Sequence, residues 1–329
     1  YSGQYSSSDG GQLMKAFFVT IDTEGDSLWD NPNINEIKTE NVLWIPRFQE
    51  LCEKYGFIPI WLTDYEIIQD QRYVDYIKEK NALGLCEVGI HVHARNNPPL
   101  IQMKNESINS GAYLIEYPTD VMREKFITLK DLIEKKLECK VLTHRAGRWA
   151  LNEEYIKILE ETGIKYDCSV TPGLDWSACP GITPGSKGSD YTSYKRGVQR
   201  IGENKKIIEY PVSIYSCDKL IKPNGLGYRN ILKSVYHFGK HSNIWLRPNS
   251  DNNLNEMKYI LDKVKQTNEE YVEFMIHSSE LMPGGSPSFV SNATIEELYS
   301  RMDMLFEYAK QSGYEGYTFK TWEEERNKH

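Results

Sequence analysis

The sequence predicts an α/β fold, a distorted parallel (β/α)7–8 barrel made as a single domain with one long loop insertion. Three observations predict it. Short β-rich runs alternate with amphipathic helical stretches along nearly the whole chain. Most of those runs are continuously apolar, as parallel strands buried on both faces require. About seven or eight such units fit into the 329 residues, and no linker is rich enough to cut the chain in two.

In chain order, residues 1–13 are Ser/Gly-rich and aperiodic, and are expected to be a disordered or vector-derived tail; 14–329 is then the barrel domain. Strands are predicted over Phe17–Asp22, Phe57–Thr63, Cys86–Ala94, Lys140–Arg145, Tyr166–Val170, Ile207–Ile214, Ile244–Arg247, Glu273–His277 and Gly316–Lys320. Between them, Asn41–Tyr55 stripes Val42, Ile45, Phe48, Leu51 and Cys52, and Asp120–Leu137 stripes Val121, Phe126, Leu129, Ile133 and Leu137, both at helical spacing. Asn152 is placed to cap a helix over 153–162 that Gly163 ends. Thr294 with Glu297 reads as a capping box for a helix running to Gln311. The longest irregular stretch, Thr171–Lys205, is punctuated by Pro172, Gly173, Pro180, Gly181, Pro184 and Gly185. Its Trp176, Tyr191 and Tyr194 favour a loop that covers substrate.

Lys plus Arg is 39 and Asp plus Glu is 47, a net charge of −8. An acidic balance argues against a general nucleic-acid or anionic-membrane binder while leaving room for a local basic pocket. No GxGxxG or GxxxxGK[ST] follows a strand, which weighs against nucleotide binding. No run of about 18 apolar residues is present, so no transmembrane segment is expected. The six cysteines (52, 86, 139, 168, 179 and 217) form no CxxC pair and read as buried thiols of a reducing, cytoplasmic compartment.

Reactive side chains sit where strands end, the end at which a parallel barrel builds its site. Thr20-Ile21-Asp22-Thr23-Glu24-Gly25-Asp26 sets three carboxylates within five residues as an apolar strand leaves the core, and Asp22 and Glu24 share one side of an extended chain. Two such acids repel unless a cation lies between them. Glu87-Val88-Gly89-Ile90-His91-Val92-His93 aims two imidazoles the same way, a spacing that suits one divalent ion. Thr143-His144-Arg145-Ala146-Gly147-Arg148-Trp149 follows another strand, and its Arg145 can orient a carboxylate or hold substrate. His277 ends an apolar strand ahead of a rigid Pro/Gly loop and is a candidate general acid. Together these groups have the composition of a hydrolytic metal site with an open coordination position.

That order of motifs resembles the NodB-type polysaccharide deacetylases. Phe17–Asp26 is similar to the family's Asp-bearing first turn, EVGIHVH to its histidine strand, HRAGRW to its arginine motif, and IHSSELMPGGSP to its last histidine motif. EVGIHVH, HRAGRW and IHSSELMPGGSP look especially like the deacetylase-like branch of bacterial surface-polysaccharide gene clusters. The family spaces its histidines four apart, whereas position 95 here is Arg, and its adjacent Asp-Asp is Asp22-Thr23. The resemblance therefore implies His91, His93 and Glu24 as ligands of a divalent metal, zinc by preference, with Asp22 as base, Arg145 orienting it and His277 as acid. It also implies a carbohydrate substrate losing an N-acetyl group, with Arg148, Trp149, Asp175 and Trp176 as sugar contacts. Two rivals stand beside it: a related C–N amide hydrolase or deformylase, and a silent carbohydrate-binding barrel.

Overall fold

Nine residues from Lys15 to Thr23 form strand β1, and all nine are buried. Period-two alternation divides them. Phe17, Val19 and Ile21 pack outward into the main hydrophobic core, while Ala16 and Phe18 join a second, inner cluster. Thr20 and Asp22 fall in the inward phase. The computed structural model describes residues 14–26, 28, 37–101, 103, 112–222 and 228–328; the tail expected over 1–13 lies outside them.

The remaining strands are β2 (Pro59–Thr63), β3 (Glu87–Val92), β4 (Thr143–Ala146), β5 (Tyr166–Asp167), β6 (Gln199–Ile201), β7 (Ile207–Glu209), β8 (Ile214–Ser216), β9 (Asn243–Trp245), β10 (Tyr271–His277) and β11 (Tyr314–Gly316). The helices are α1 (Ile45–Lys54), α2 (Tyr65–Gln69), α3 (Gln71–Ala82), α4 (Thr119–Leu137), α5 (Glu153–Glu161), α6 (Tyr228–Lys240), α7 (Leu254–Lys265), α8 (Asn292–Gln311) and α9 (Phe319–Arg326). Nine strands form one sheet in the order β10-β1-β2-β3-β4-β5-β7-β6, with β11 added to β1. All its pairings are parallel except β6–β7. Helices coat its outer face, as the βαβ handedness rule demands.

The distortion has a definite place. β7 and β10 do not pair as strands. The gap is bridged through the segment after β7 and the antiparallel β8–β9 pair: the Tyr271 hydroxyl donates to Pro211 O (2.8 Å), Leu246 N–H to Ser213 O (3.1 Å) and Met275 N–H to Leu246 O (3.2 Å). The sheet is a curled, incompletely paired barrel.

The same alternation runs through every central strand. Val88, Ile90 and Val92 of β3 and Val272, Phe274 and Ile276 of β10 face the helical layer. The opposite phase therefore carries Gly89 and His91, Arg145, and Glu273 and His277 inward. Gly89 is a glycine because the interior is narrow there: a Cβ would lie 2.6 Å from the Leu62 side chain and 2.8 Å from Thr143 O.

Four sequence expectations move. Ile207–Ile214 is not one strand: β7 ends at Glu209, and Ile214 opens β8, which pairs with β9 outside the main sheet. Gly316–Lys320 is not a strand; β11 ends at Gly316, and Thr318, whose hydroxyl accepts from Thr321 N–H, caps α9. The last long helix starts one turn earlier than Thr294–Glu297 suggested, because Ser291 caps it and Thr294 occupies N3. Of the cysteines, Cys139 is half-buried and Cys179 exposed, so only four are buried thiols.

Candidate active site

The acidic turn after β1 is held open by its third carboxylate. Asp26 accepts the backbone N–H groups of Glu40 (2.8 Å) and Asn41 (3.0 Å), capping the 3-10 turn that precedes α1. Asn41 in turn donates to Glu24 O at 2.9 Å, and Ser278 exchanges hydrogen bonds with the Glu24 backbone. Asp26 is thus a structural cap, which leaves Asp22 and Glu24 facing inward.

His91 and His93 meet these two acids. His93 Nε2 lies 2.7 Å from Glu24 Oε2. His91 Nε2 lies 3.9 Å from Asp22 Oδ2 and 4.0 Å from Glu24 Oε2. His91 Nδ1 donates to the Arg145 carbonyl oxygen at 3.0 Å, which fixes the tautomer and turns the Nε2 lone pair toward the acids. Burial pushes His91 down to about 4, against the pull of Asp22, so the ring is neutral at neutral pH. Burial would raise Glu24, yet the hydrogen bond from His93 holds its carboxyl at about 2. One ligand atom each from Glu24, His91 and His93 lies within 4.8 Å of the others. Donors around a tetrahedral zinc are about 3.3 Å apart, so the 2.7 and 4.0 Å separations bracket what one ion needs. Two neutral-capable imidazoles and a carboxylate are the right chemistry for a divalent cation.

Arg145 is completely buried and reaches across the barrel interior from β4 to β1 and β10. It donates to Asp22 Oδ1 (2.5 Å), to Thr20 Oγ1 (2.8 Å), to Cys168 O (3.0 Å) and to Glu273. Burial would raise Asp22, but the Arg145 guanidinium, helped by His91 and His277, holds its carboxyl well below the usual carboxylate range. Glu273 shows the opposite outcome. Burial pushes it up to about 7 despite Arg145, and its Oε2 has no hydrogen-bond partner among the described residues. One guanidinium neutralises one of its two acids, and the other favours its protonated form.

His277 Nε2 stands 3.6 Å from Asp22 Oδ2 and 3.9 Å from Glu24 Oε1. Its Nδ1 lies 3.1 Å from Glu280 Oε2, whose carboxylate also accepts the His277 N–H (2.9 Å) and is bridged by Arg247 at 3.1 Å. Arg247 and His277 hold Glu280 down at about 2 against its burial.

These groups floor a cavity of about 300 Å³ lined by Asp22, Glu24, Leu28, His91, His93, Arg95, Ala146, Arg148, Trp149 and His277. Arg148 and Trp149 both adopt positive φ, 55° and 61°, an uncommon backbone for such side chains that swings them onto the rim. Arg148 stacks 3.8 Å over the Tyr113 ring, and the Tyr191 hydroxyl donates to Trp149 O at 2.6 Å.

The structure thus brings Asp22, Glu24, His91, His93 and His277 together with Arg145 behind and Arg148 and Trp149 above. It does not bring Asp175 or Trp176 to the cavity wall. Asp175 bridges to Asp190, and Trp176 Nε1 donates to Thr171 Oγ1 within the long loop. Sequence reasoning gave no role to Glu273, Glu280 and Arg247. Glu273 had a legible signal, an acid four residues before His277 in an otherwise apolar strand.

No protein-family model matches the chain, and no curated protein matches it. The fold is shared with a glucanotransferase. Superposition on the 4-alpha-glucanotransferase from Thermococcus litoralis gives a TM-score of 0.53 at 12% identity, covering 94% of this chain and 40% of that one. This chain therefore spans well under half of that enzyme's length, and the likeness is one of fold. Also similar is a peptidoglycan deacetylase from Bacillus subtilis, with a TM-score of 0.42 and 11% identity over 96% of this chain and 93% of that one. A further match is the CE4 domain of a multidomain xylanase from the hindgut metagenome of Trinervitermes trinervoides, with a TM-score of 0.43 and 9% identity over 95% of this chain and 92% of that one.

Proposed function

We propose that this chain is a metal-dependent hydrolase that removes an N-acetyl group from a sugar. The observation that carries the reading is the convergence of Glu24, His91 and His93 on one point beside an ionised Asp22 and an opposing His277. The motif resemblance to NodB-type deacetylases supports the same chemistry.

Glu24, His91 and His93 would hold the cation, with zinc suited to their donor set. When bound, it supplies a Lewis acid for a carbonyl oxygen and brings the pKa of water to about 7. The chain's own residues do the rest. Arg145 keeps Asp22 ionised through Oδ1, which leaves Oδ2 to take a proton from the attacking water. His277 Nε2, on the other side of Asp22, hands a proton to the departing amine nitrogen, while Glu280 and Arg247 fix the ring by its Nδ1 side. Glu273 and Thr20 hold the far edge of Arg145 so that the guanidinium cannot rotate away. Trp149 and Arg148 give the sugar an aromatic face and a cationic rim. Asp175 and Trp176 would meet only the further residues of a polymeric substrate extending over the long loop.

Acetate release from N-acetylated chito-oligosaccharides tests the reading. Zinc-loaded protein should release acetate, and Asp22→Asn should lower the rate by about 10²–10⁴-fold with the fold intact. Sugar binding without acetate release, or activity that survives Asp22→Asn, would overturn it.

A further inference from the structure

Helix α6 turns its apolar side to solvent. At 100° per residue, Ile231, Leu232, Val235, Tyr236 and Phe238 share an arc of about 160°, and Lys233, Ser234, His237 and Lys240 take the other side. Of the polar side, His237 faces the protein, its Nε2 3.9 Å from Glu256 Oε1 on the first turn of α7, while Lys233 pairs at the surface with Asp251 (Nζ to Oδ2, 2.5 Å) and Lys240 is exposed. The apolar side faces solvent, with those five residues between 41% and 62% exposed. Leu220, ahead of the helix, is exposed as well. Exposed apolar surface on this scale marks a contact face.

Charge says what the contact is. The chain carries −8 overall, yet from Lys219 to His241 the sequence holds Lys219, Lys222, Arg229, Lys233 and Lys240 and no Asp or Glu. A second copy of the chain would meet this face with the same cations, which repel. An anionic surface would not. A short helix with a clean apolar face, aromatic residues on it and lysines along its flank is the form that lies in the plane of a bilayer interface. Each lysine near an anionic leaflet adds about 1 kcal/mol of attraction. Among the described residues no helix is long and apolar enough to cross a membrane, so the contact is peripheral.

We propose that α6 docks this protein on an anionic phospholipid surface, with Ile231, Leu232, Val235 and Phe238 entering the headgroup–acyl boundary and the flanking lysines engaging the headgroups. The helix packs on the first turn of α7, which follows the loop that leaves Arg247. The side of α6 opposite the docked face therefore packs next to the loop that carries Arg247, which contacts His277.

Co-sedimentation of the full chain with vesicles tests this, using phosphatidylcholine alone and phosphatidylcholine containing phosphatidylglycerol. Recruitment should require phosphatidylglycerol, weaken with added salt, and fall at least about ten-fold in Val235→Asp/Phe238→Asp. These side chains are already in solvent, so the variant should keep its circular dichroism and its acetate release from soluble sugars. Lys240→Glu should weaken recruitment without altering the apolar face. Absence of recruitment, or recruitment indifferent to both variants, would overturn the proposal. So would a solution dimer that Val235→Asp/Phe238→Asp dissociates while vesicles recruit nothing.

Discussion

Replacing Arg145 with Met removes the only cation that the structure shows touching both Asp22 and Glu273 among the described residues. All three side chains are fully buried, so solvent cannot screen the loss. Truncating one partner of such a pair costs about 3–5 kcal/mol. The pH dependence is the sharper signature. In the native protein Asp22 lies below its unfolded value of about 3.9. Its ionisation therefore stabilises the fold above that pH, and the contribution vanishes as pH falls through the folded value. Without Arg145, burial raises Asp22 above its unfolded value. The sign reverses: stability is then fullest below about pH 4 and is lost as pH rises. Glu273, already at about 7, moves higher still. Every tenfold weakening of a carboxyl group's acidity between the unfolded and folded chain corresponds to about 1.4 kcal/mol. Urea unfolding of the native and Arg145→Met proteins, with chelator present in both, should show a gap of about 3–5 kcal/mol at pH 8 that narrows by more than about 1 kcal/mol at pH 5. A gap that does not change with pH would show that Arg145 does not set the ionisation of Asp22 and Glu273.

Glu273→Gln keeps an acceptor for Thr20 and Arg145 but cannot titrate. Its folded value is raised, so native stability is fullest below about pH 4.5 and falls as pH climbs through 7. Denaturant melts across that window should show the variant gaining about 3 kcal/mol relative to the native protein. Gly147→Ala sets a methyl against Val92 O and 3.2 Å from His93 Nδ1. Chelator competition should show zinc affinity falling about 10–100-fold. Lys125, buried in α4, donates to Ala94 O, Asn97 O and Pro99 O at 2.9, 2.7 and 2.7 Å. Lys125→Met should destabilise the protein by about 3 kcal/mol, read from thermal melts, and expose the segment after His93 to protease.

The central site was legible in the sequence because the chemistry and the alternation share a period of two. Asp22 lies in phase with Thr20, and His277 with Glu273, on the inward faces of continuous apolar strands. The barrel followed from the same runs. What escaped depends on contacts far apart in sequence. Arg247 meets Glu280 only because the antiparallel β8–β9 pair fills the break between β7 and β10. Asp26 shares the acidic turn with Asp22 and Glu24, and only the fold shows its carboxylate engaged by the turn before α1. Trp176 looked like a sugar platform, but its indole N–H is satisfied within its own loop by Thr171. The spacing of the apolar residues on α6 would suit a core-facing helix, and only the fold reveals that this side is exposed.

The proposed site needs one cation shared by the turn after β1 and the end of β3, and calorimetric zinc titration of the chelator-stripped protein measures it directly. The titration should show a single site per chain that survives Asp22→Asn and is lost in His91→Ala, in His93→Ala and in Glu24→Ala. Zinc uptake that is absent, or that is indifferent to His91→Ala and Glu24→Ala, would contradict it.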